Sequence, residues 1–427
     1  MNNGIKAHYP LDNSGIIHLA AKRKWHTNSF RFSVTLTEDI DSHILQKALD
    51  RITPRFPTIA AGISKGAFQY KVVPVDFAPK VILQEEILAP MTMQEIEKCA
   101  FRVLYSGKQI AGEFFHSLTD GTGGSVFITA LLAEYLKYKY HIMLPSDTEI
   151  LSVKDTPKRE ELIDDYFTFA GNEKEPLNNK KVYQLPGKPK NDAKIQVTTR
   201  IFELEDLLGA AHRYNVSLTI FLTTVMAVSI SEIQQKYLQK ERKKKPIQIM
   251  VPVNLRKLFP SKSLRNFTLF ALPRIEADES TLSFENLLSI VREQLDKLTT
   301  KEKMAAAMTT HTKLERSAIM KIIPLPVKCM ILRIAHHFCG EQSSCISLSN
   351  MGIVSFPDEM AQYIVQADFV LKPRISSPYN CGIVSYRDKC VINISKLCAE
   401  PELGNCFFKT LSDFIKKDSY KKAVMGI

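Results

Sequence analysis

The hydrophobic and polar positions of the chain follow two periods, which predict strands and helices in both halves. Strict alternation over residues 30–37 predicts a strand. Apolar residues at helical spacing predict a helix over 41–52, with Asp39 or Asp41 as its N-cap. Because the two kinds of element are mixed throughout, the pattern predicts an α/β protein with layers of sheet and helix.

The remaining predicted elements come from the same two periods. In chain order they are a hairpin over 58–63 and 68–75, a helix over 92–99, strands over 101–105 and 108–116, a helix over 125–138, a strand over 195–203, helices over 204–214 and 217–240, a strand over 247–253, a helix over 283–299, strands over 345–349, 365–370, 381–386 and 390–395, and a helix over 400–415. Residues 172–193 are instead rich in Asn, Lys, Pro and Gly. We therefore predict an N-terminal domain over 1–175, a linker or crossover over 176–194 and a C-terminal domain over 195–427.

The composition is that of a folded protein with room for two cores. The chain has 427 residues, of which 45% are hydrophobic and 24% are charged. Its start, Met1–Lys6, does not look like a signal peptide. The longest apolar stretch, Ser217–Ile230, is interrupted by hydroxyl residues and is too short to span a bilayer. The expectation is a cytoplasmic protein with no membrane span.

The net charge of +12 favours an anionic partner. Much of the visible clustering lies in six basic residues between Lys236 and Lys245, where it suits the solvated end of a helix. Nucleic-acid binding calls for aromatic residues interleaved with the basic ones, and only Tyr237 is close. A phosphate-bearing small molecule is the simpler expectation, and nucleic acid is not expected.

The eight cysteines predict neither disulfides nor a metal site. They are Cys99, Cys329, Cys339, Cys345, Cys381, Cys390, Cys398 and Cys406. No pair has C-x-x-C spacing, and a chain of this length does not need disulfide cross-links, so we expect free thiols. The pair His336-His337 has no histidine or cysteine at i+4 with which to share a metal.

A histidine at the end of a predicted strand is the strongest candidate for chemistry. His116 ends the apolar strand 108–116, and Asp120 and the glycines 121, 123 and 124 follow it. A neutral imidazole is the side-chain base whose ordinary pKa lies nearest physiological pH, and it works best when its ring is fixed in a dry cleft. By itself a lone histidine on such a face is more often a core residue.

Three other segments carry residues that could form a site. Gly62–Gly66 matches the G-x-S-x-G pattern of hydrolases, but an alternating segment follows it, which predicts a hairpin turn and excludes a nucleophile elbow. Val251–Arg256 places Asn254 and Arg256 at the end of a buried strand. Ser349 and Asn350 come before a glycine at another strand end, where they can fix a turn or donate to an oxyanion.

Five segments, in this order along the chain, resemble motifs of the chloramphenicol acetyltransferase-like superfamily. They are Tyr9–Asp12, His116–Gly121, Val251–Arg256, Ser349–Gly352 and Gly382–Tyr386. This superfamily includes condensation domains and alcohol acetyltransferases, and the sequence looks most similar to the bacterial alcohol acetyltransferase-like proteins. The resemblance implies two similar α/β domains, each a mixed sheet flanked by helices, with an active-site tunnel between them. It also implies a monomer, since two fused domains can build the site within one chain.

The sequence departs from the superfamily pattern in two places. Many members carry a doubled histidine, but this chain has Phe115 before His116. The single histidine counts against a condensation enzyme more than it counts against catalysis, because simple acetyltransferases of the superfamily that this chain resembles also have one histidine. The D-F-G-W-G motif of the plant enzymes is also absent, and the single tryptophan is Trp25.

The resemblance implies an acyl-CoA-dependent O- or N-acyltransferase that carries an acetyl or other short acyl group directly to an alcohol or amine. His116 would be the base, and Asp120 would have a structural role and pair with an arginine, for which Arg256 is the candidate. Ser349 or Asn350 would donate to the oxyanion, and Gly121 would let the backbone pass close to the donor. No metal is expected. The alternatives are a condensation enzyme that depends on an acyl carrier protein, and a non-catalytic binding or regulatory member of the fold.

Overall fold

The computed structural model describes most of the chain. The described residues are 8–145, 149–171, 173, 181–187, 194–237, 244–279, 282–316, 323–339, 343–374, 377–399 and 402–425. The strands are β1 Tyr9–Pro10, β2 Ser29–Leu36, β3 Ala61–Lys65, β4 Tyr70–Pro74, β5 Ile82–Leu83, β6 Phe101–Ser106, β7 Gln109–Phe115, β8 Gln196–Glu203, β9 Ile247–Asn254, β10 Thr268–Ala271, β11 Arg274–Ile275, β12 Ile346–Val354, β13 Ile364–Leu371, β14 Tyr379–Tyr386 and β15 Lys389–Lys396.

The helices lie between and after these strands. They are α1 Asn13–Ala21, α2 Ser42–Ile52, α3 Met93–Lys98, α4 Gly121–Tyr140, α5 Arg159–Leu162, α6 Tyr166–Phe169, α7 Leu204–His212, α8 Leu218–Tyr237, α9 Phe284–Leu298, α10 Lys301–Arg316, α11 Leu325–Cys339, α12 Asp358–Ala361 and α13 Glu402–Met425, with short 3₁₀ turns at Thr53–Arg55 and Leu255–Lys257. The predicted mixture of strands and helices is confirmed.

Capping explains where the helices near the site begin. Asp41, one of the two predicted candidates, caps α2 by accepting hydrogen bonds from the backbone N–H groups of His43 and Ile44. Helix α4 begins at Gly121, four residues before the predicted start, because Asp120 is its N-cap. The apolar pattern marks only where that helix becomes amphipathic, so it places the start too late.

Three sheets organise these elements. The five-stranded sheet has the order β13-β2-β7-β6-β5, and the seven-stranded sheet runs β10-β9-β12-β14-β15-β8, with β11 also paired to β9. Strand β12 is parallel to both β9 and β14, while β14, β15 and β8 are antiparallel. The small sheet is β1-β4-β3, in which Gly62–Gly66 leads into an antiparallel hairpin, as predicted.

Strand β13 links the two halves of the chain. It comes from the second half, yet it pairs antiparallel with β2, with Phe369 opposite Phe32, and so completes the five-stranded sheet. The proposed boundary at 176–194 stays a prediction, and 176–180 and 188–193 lie outside the described residues.

Two large buried cores flank the sheets. The first joins β2, β7, α2 and α4 with residues of β13, and the second surrounds α8 with β9, β14, β15 and α13. Among the described residues, α8 is the one helix long and apolar enough to cross a membrane by length and composition, and 72% of its apolar window is buried in the second core. The seven cysteines whose side chains are described are free thiols.

The basic run after α8 is only partly described, because residues 238–243 lie outside the described ranges. Lys236, at the end of the helix, forms an ion pair with Glu402 at 2.8 Å. That exposed pair fits a solvated helix end, as the sequence suggested.

Candidate active site

His116 follows the last residue of β7 and sits where several aromatic rings meet. Its backbone N–H donates to the carbonyl of Asn28 at 2.9 Å, which holds the chain next to β2. Its ring lies edge-on to Phe30, with centroids 5.2 Å apart. It stacks on the ring of His18 in α1, with centroids 4.5 Å apart and planes 28° from parallel. The imidazole is half-buried. Its neighbours hold one side of the ring, and part of its surface is accessible to solvent.

The side chain of Asn266 determines which nitrogen of His116 carries the proton. Its Nδ2 donates to the backbone carbonyl of His116 at 3.0 Å, and a carbonyl can only accept, so this bond fixes the amide orientation. Its Oδ1 then lies 3.0 Å from Nδ1 of the same histidine and must accept a hydrogen bond from the N–H group at that position. The neutral ring therefore keeps its lone pair on Nε2. Nε2 has no hydrogen-bond partner among the described residues.

A buried carboxylate stands behind Asn266. Asp12 also hydrogen-bonds the Asn266 side chain, and a positive charge on the His116 ring would lower the pKa of Asp12. It caps α1 by accepting from the N–H of Gly15 at 2.6 Å, and it pairs with Arg265 at 3.3 Å. Burial raises the pKa of Asp12 more than Arg265 and these hydrogen bonds lower it. The order Asp12, Asn266, His116 is thus a carboxylate, an amide and an imidazole, in which each group orients the next.

Asp120 is held by four donors and does not face the imidazole. Its Oδ1 accepts from the N–H of Gly123 at 3.1 Å. Its Oδ2 accepts from Nη1 of Arg256 at 2.8 Å, the N–H of Phe267 at 2.8 Å and the hydroxyl of Thr268 at 3.0 Å. Burial would raise the pKa of Asp120, but the Arg256 charge and these hydrogen bonds outweigh it and hold the pKa below the usual value. The predicted pairing with Arg256 is present.

Arg256 and Asn254 join the second half of the chain to the start of α4. Arg256 also donates to two backbone carbonyls, those of Ser263 at 2.9 Å and Arg265 at 2.6 Å. The side-chain oxygen of Asn254 accepts from the backbone N–H of Arg256 at 3.1 Å, and its Nδ2 donates to Thr122 at 3.1 Å. Both residues therefore brace the loop after β9 against α4.

The glycines at the start of α4 permit close packing. A Cβ on Gly121 would lie 2.6 Å from the sulfur of Met351, and a Cβ on Gly123 would lie 2.3 Å from the carbonyl oxygen of Leu264. The second contact is with backbone, which cannot move aside, so only glycine fits there. Gly121 thus brings β12 against the motif.

Ser349 and Asn350 lie on β12, at a register shift in its pairing with β14. Asn350 accepts from the N–H of Gly352 at 2.9 Å and donates to Thr219 at 3.2 Å, next to the start of α8. Gly352 has φ +77°, a left-handed conformation that favours glycine. Asn350 therefore braces a turn, while the hydroxyl of Ser349 has no hydrogen-bond partner in the described part of the chain.

Sequence reasoning missed three residues of the candidate site. His18 was not among the predicted site residues, and Asn266 and Thr268 lie in a segment with no periodic pattern. A usable signal existed only for His18, since Asp12-Asn13-Ser14-Gly15 has the composition of a helix cap and would have revealed α1. Asn266 meets His116 from 150 residues away, which no local pattern reports.

Comparison with known proteins bears on the family and the fold. Residues 194–395 match the model of the alcohol acetyltransferase family. The predicted resemblance to the chloramphenicol acetyltransferase-like superfamily is confirmed. A search of curated proteins found no match.

Solved structures share the fold over almost the whole chain. Polyketide synthase associated protein 5 from Mycobacterium tuberculosis has a TM-score of 0.61 and 14% identity, covering 96% of this chain and 98% of its own. Trichothecene 15-O-acetyltransferase from Fusarium sporotrichioides has a TM-score of 0.60 and 11% identity, covering 97% and 96%. The wax ester synthase/diacylglycerol acyltransferase from Marinobacter aquaeolei VT8 has a TM-score of 0.56 and 12% identity, covering 98% and 100%. At these identities the likeness shows the fold, which confirms the predicted α/β class with mixed sheets flanked by helices.

Within the described ranges, no group of three or more His, Cys, Asp or Glu side chains is arranged to hold a metal ion.

Proposed function

We propose that the protein is an acyltransferase that moves an acyl group, acetyl or another short chain, from a CoA thioester to an alcohol or amine. The observation that carries the proposal is the state of His116. Asn266 holds the proton on Nδ1, so the accessible nitrogen Nε2 has a lone pair with which to take a proton. An oriented base of this kind contributes about two to four powers of ten in rate.

The proposed reaction is a direct transfer with a single histidine. Nε2 of His116 takes the proton from the acceptor hydroxyl or amine as its oxygen or nitrogen bonds to the thioester carbonyl carbon. The carbonyl becomes a tetrahedral oxyanion, which collapses and breaks the carbon–sulfur bond. The imidazolium then gives its proton to the leaving thiolate, so the protein ends in its starting state. The stacked ring of His18 limits how far the His116 ring can turn during both proton transfers.

Ser349 is the better candidate for the oxyanion donor. Asn350 shares the predicted role, but its side chain is engaged with Thr219 and Gly352. The Ser349 hydroxyl is half-buried and has no partner among the described residues, so it is available to donate. Asp120 and Arg256 act as structural supports in this proposal.

Three observations favour CoA over a carrier protein as the donor. Phe115, which is fully buried, stands in place of a second histidine. The chain carries a net charge of +12, which suits a polyphosphate-bearing donor. A fold relative, the starter condensation domain of rhizomide synthetase RzmA, has been solved in complex with C8-CoA and Leu-SNAC, at 12% identity and a TM-score of 0.60 over 96% of this chain and 94% of its own.

A thiol-release assay tests the proposal. The purified protein is given acetyl-CoA to long-chain acyl-CoA with a panel of alcohols and amines, and His116→Ala is the control. Acceptor-dependent release of CoA that His116→Ala abolishes is the expected result. Release only from an acyl carrier protein thioester would select the condensation alternative. No release from either donor would leave a binding or regulatory role.

We also propose that the protein is a monomer and that it is cytoplasmic. Light scattering coupled to size-exclusion chromatography tests the oligomeric state, and a mass of twice 48.4 kDa would contradict it.

A further inference from the structure

Helix α11 has one buried side and one apolar exposed side. Leu325 and Leu332, seven residues apart, are 1% and 6% exposed and face inward, where α11 packs on α1. The outward side carries four aliphatic side chains. They are Val327, Met330, Ile331 and Ile334, with exposed fractions of 46%, 59%, 37% and 51%. Their spacing of three, one and three residues places them on one face of the helix.

The turn between β3 and β4 extends this face. Leu325 donates its backbone N–H to the carbonyl of Ala67 at 3.2 Å, and Lys328 donates to the carbonyl of Phe68 at 3.0 Å. These bonds hold Phe68, which is 52% exposed, beside the start of α11. We call Phe68 and the four aliphatic residues the apolar stripe. Contiguous exposed apolar surface of this kind marks an interaction site more often than isolated apolar residues do.

The charged side chains of helix α11 itself have one sign. Helix α11 has no acidic residue, and its two charged residues are Lys328 and Arg333. Arg333 donates from Nε to the carbonyl of Ala20 at 2.9 Å, which ties it to the end of α1. The chain continues from there through three more basic residues, Lys22–Lys24. Two cations on its own helix, Lys328 and Arg333, therefore accompany the apolar stripe, and Glu97, like Arg333, lies near Tyr70.

We propose that the apolar stripe is a docking surface for an anionic lipid bilayer. A helix that lies in a membrane interface presents an apolar face to the acyl chains and basic residues to the anionic headgroups, and α11 has both. A phospholipid surface matches the cations of α11 by charge, and the chain's net charge of +12 adds to that attraction. The binding is peripheral and requires no membrane-spanning segment.

The surface lies one helix away from the candidate base. Helix α11 packs on α1, and α1 carries His18, whose ring stacks on His116. Resting on the proposed function, this arrangement would place the acyltransferase site near a pool of acceptors or acyl donors that dissolve poorly in water.

Vesicle co-sedimentation of the full chain tests the inference. The vesicles are phosphatidylcholine alone, or equal parts of phosphatidylcholine and phosphatidylglycerol. The double variant Met330→Gln with Ile334→Gln removes two stripe residues but keeps helix propensity, since Gln is a good helix former. The matched control is Ile201→Gln on β8, where the side chain is also 51% exposed. Wild type and the control should bind the anionic vesicles, and the double variant should lose about tenfold or more in affinity.

Three results would overturn the inference. They are wild-type protein that stays in the supernatant with both vesicles, a double variant that binds as well as wild type, and a wild-type dimer that the double variant converts to a monomer. The last would assign the stripe to a second copy of the chain. Thiol release with a water-soluble acceptor should be equal in wild type and the double variant. A failure of that assay with vesicle binding intact would count against the proposed function and not against the surface.

Discussion

Two helix starts meet at the candidate site, and they are built from the same parts. Helix α1 is capped by Asp12 and carries His18, while α4 is capped by Asp120 and comes just after His116. Each cap pairs with an arginine from the segment after β9. The two histidines stack on each other. What differs is how completely each group is bonded, and that difference separates structural roles from chemical ones.

The two aspartates have opposite pKa shifts, although both are fully buried. Burial dominates at Asp12, where Arg265 is 3.3 Å away, and its pKa is raised. At Asp120 the donors outweigh burial, with Arg256 at 2.8 Å, and its pKa is lowered. Burial alone therefore does not decide the charge of a carboxyl group. The number and closeness of its donors do.

The two histidines differ in the same way. Nδ1 of His18 accepts from Asn28 at 2.6 Å, and Nε2 lies 3.4 Å from the hydroxyl of Ser14, so both ring nitrogens are engaged. His116 is held at Nδ1 only. A side chain can take part in a proton transfer when the protein leaves one of its polar atoms without a hydrogen-bond partner. Of these two rings, His116 is the one with such a nitrogen among the described residues.

The largest expected effect separates the two histidines. We expect His116→Ala to lower kcat by about two to four powers of ten, because it removes the base. We expect His18→Phe, which keeps a stacked ring, to change kcat by less than about tenfold. Thiol release measures both, and circular dichroism checks that each variant folds. Equal losses in the two variants would end the distinction between base and support.

The next effect separates the two aspartates. We expect Asp120→Asn to lower the free energy of unfolding by about 3–5 kcal/mol, because it removes the buried anion that pairs with the partly buried Arg256. We expect a smaller loss for Asp12→Asn, since burial already disfavours the charge of that carboxyl. Urea unfolding followed by fluorescence measures both. A loss of activity in Asp120→Asn with unchanged stability would show that Asp120 acts directly in the chemistry.

A third effect tests how His116 is oriented. We expect Asn266→Ala to lower kcat by about 10–100-fold with little change in KM for the donor, because the ring loses the acceptor that holds its proton on Nδ1. Asn266→Asp keeps an acceptor for Nδ1 but loses the donor to the His116 carbonyl, and it should retain more activity. If both variants had wild-type kcat, Asn266 would have no positioning role.

The smallest expected effect is on the pH dependence of stability, to which Asp120 and Asp12 contribute with opposite signs. Because the folded-state pKa of Asp120 lies below its ordinary value of 3.8, its contribution is fully present above about pH 4 and is lost as the pH falls through the folded-state pKa. The folded-state pKa of Asp12 is raised, so its contribution is fully present below 3.8 and is lost as the pH rises through the folded-state pKa.

Unfolding midpoints across acidic pH measure this difference. On acidification, the stability gap between wild type and Asp120→Asn should shrink, and the gap for Asp12→Asn should grow. Gaps that move in the same direction would contradict the opposite shifts.

Local patterns were enough to predict strands and helices around the candidate site, and motif order was enough to name candidate residues for it. Strand β7, helix α4 and the partners Asp120 and Arg256 were all predicted. Contacts of residues that belong to no periodic pattern, or that join distant parts of the chain, were not predicted. Asn266 lies in an aperiodic loop, and β13 joins the five-stranded sheet from the other half of the chain.

The sequence by itself therefore determined the class of fold, the candidate base and the ion pair that supports its loop. The class of fold and the candidate base follow from apolar periodicity and from the order of short motifs, which are local properties of a chain, while the ion pair was implied by the resemblance to the superfamily. Only the tertiary structure decided which nitrogen of His116 is left to act, which aspartate stands behind it, and that His18 stacks beside it. These depend on side chains about 100 to 250 residues apart meeting at hydrogen-bonding or stacking distance, and a linear pattern does not encode that geometry.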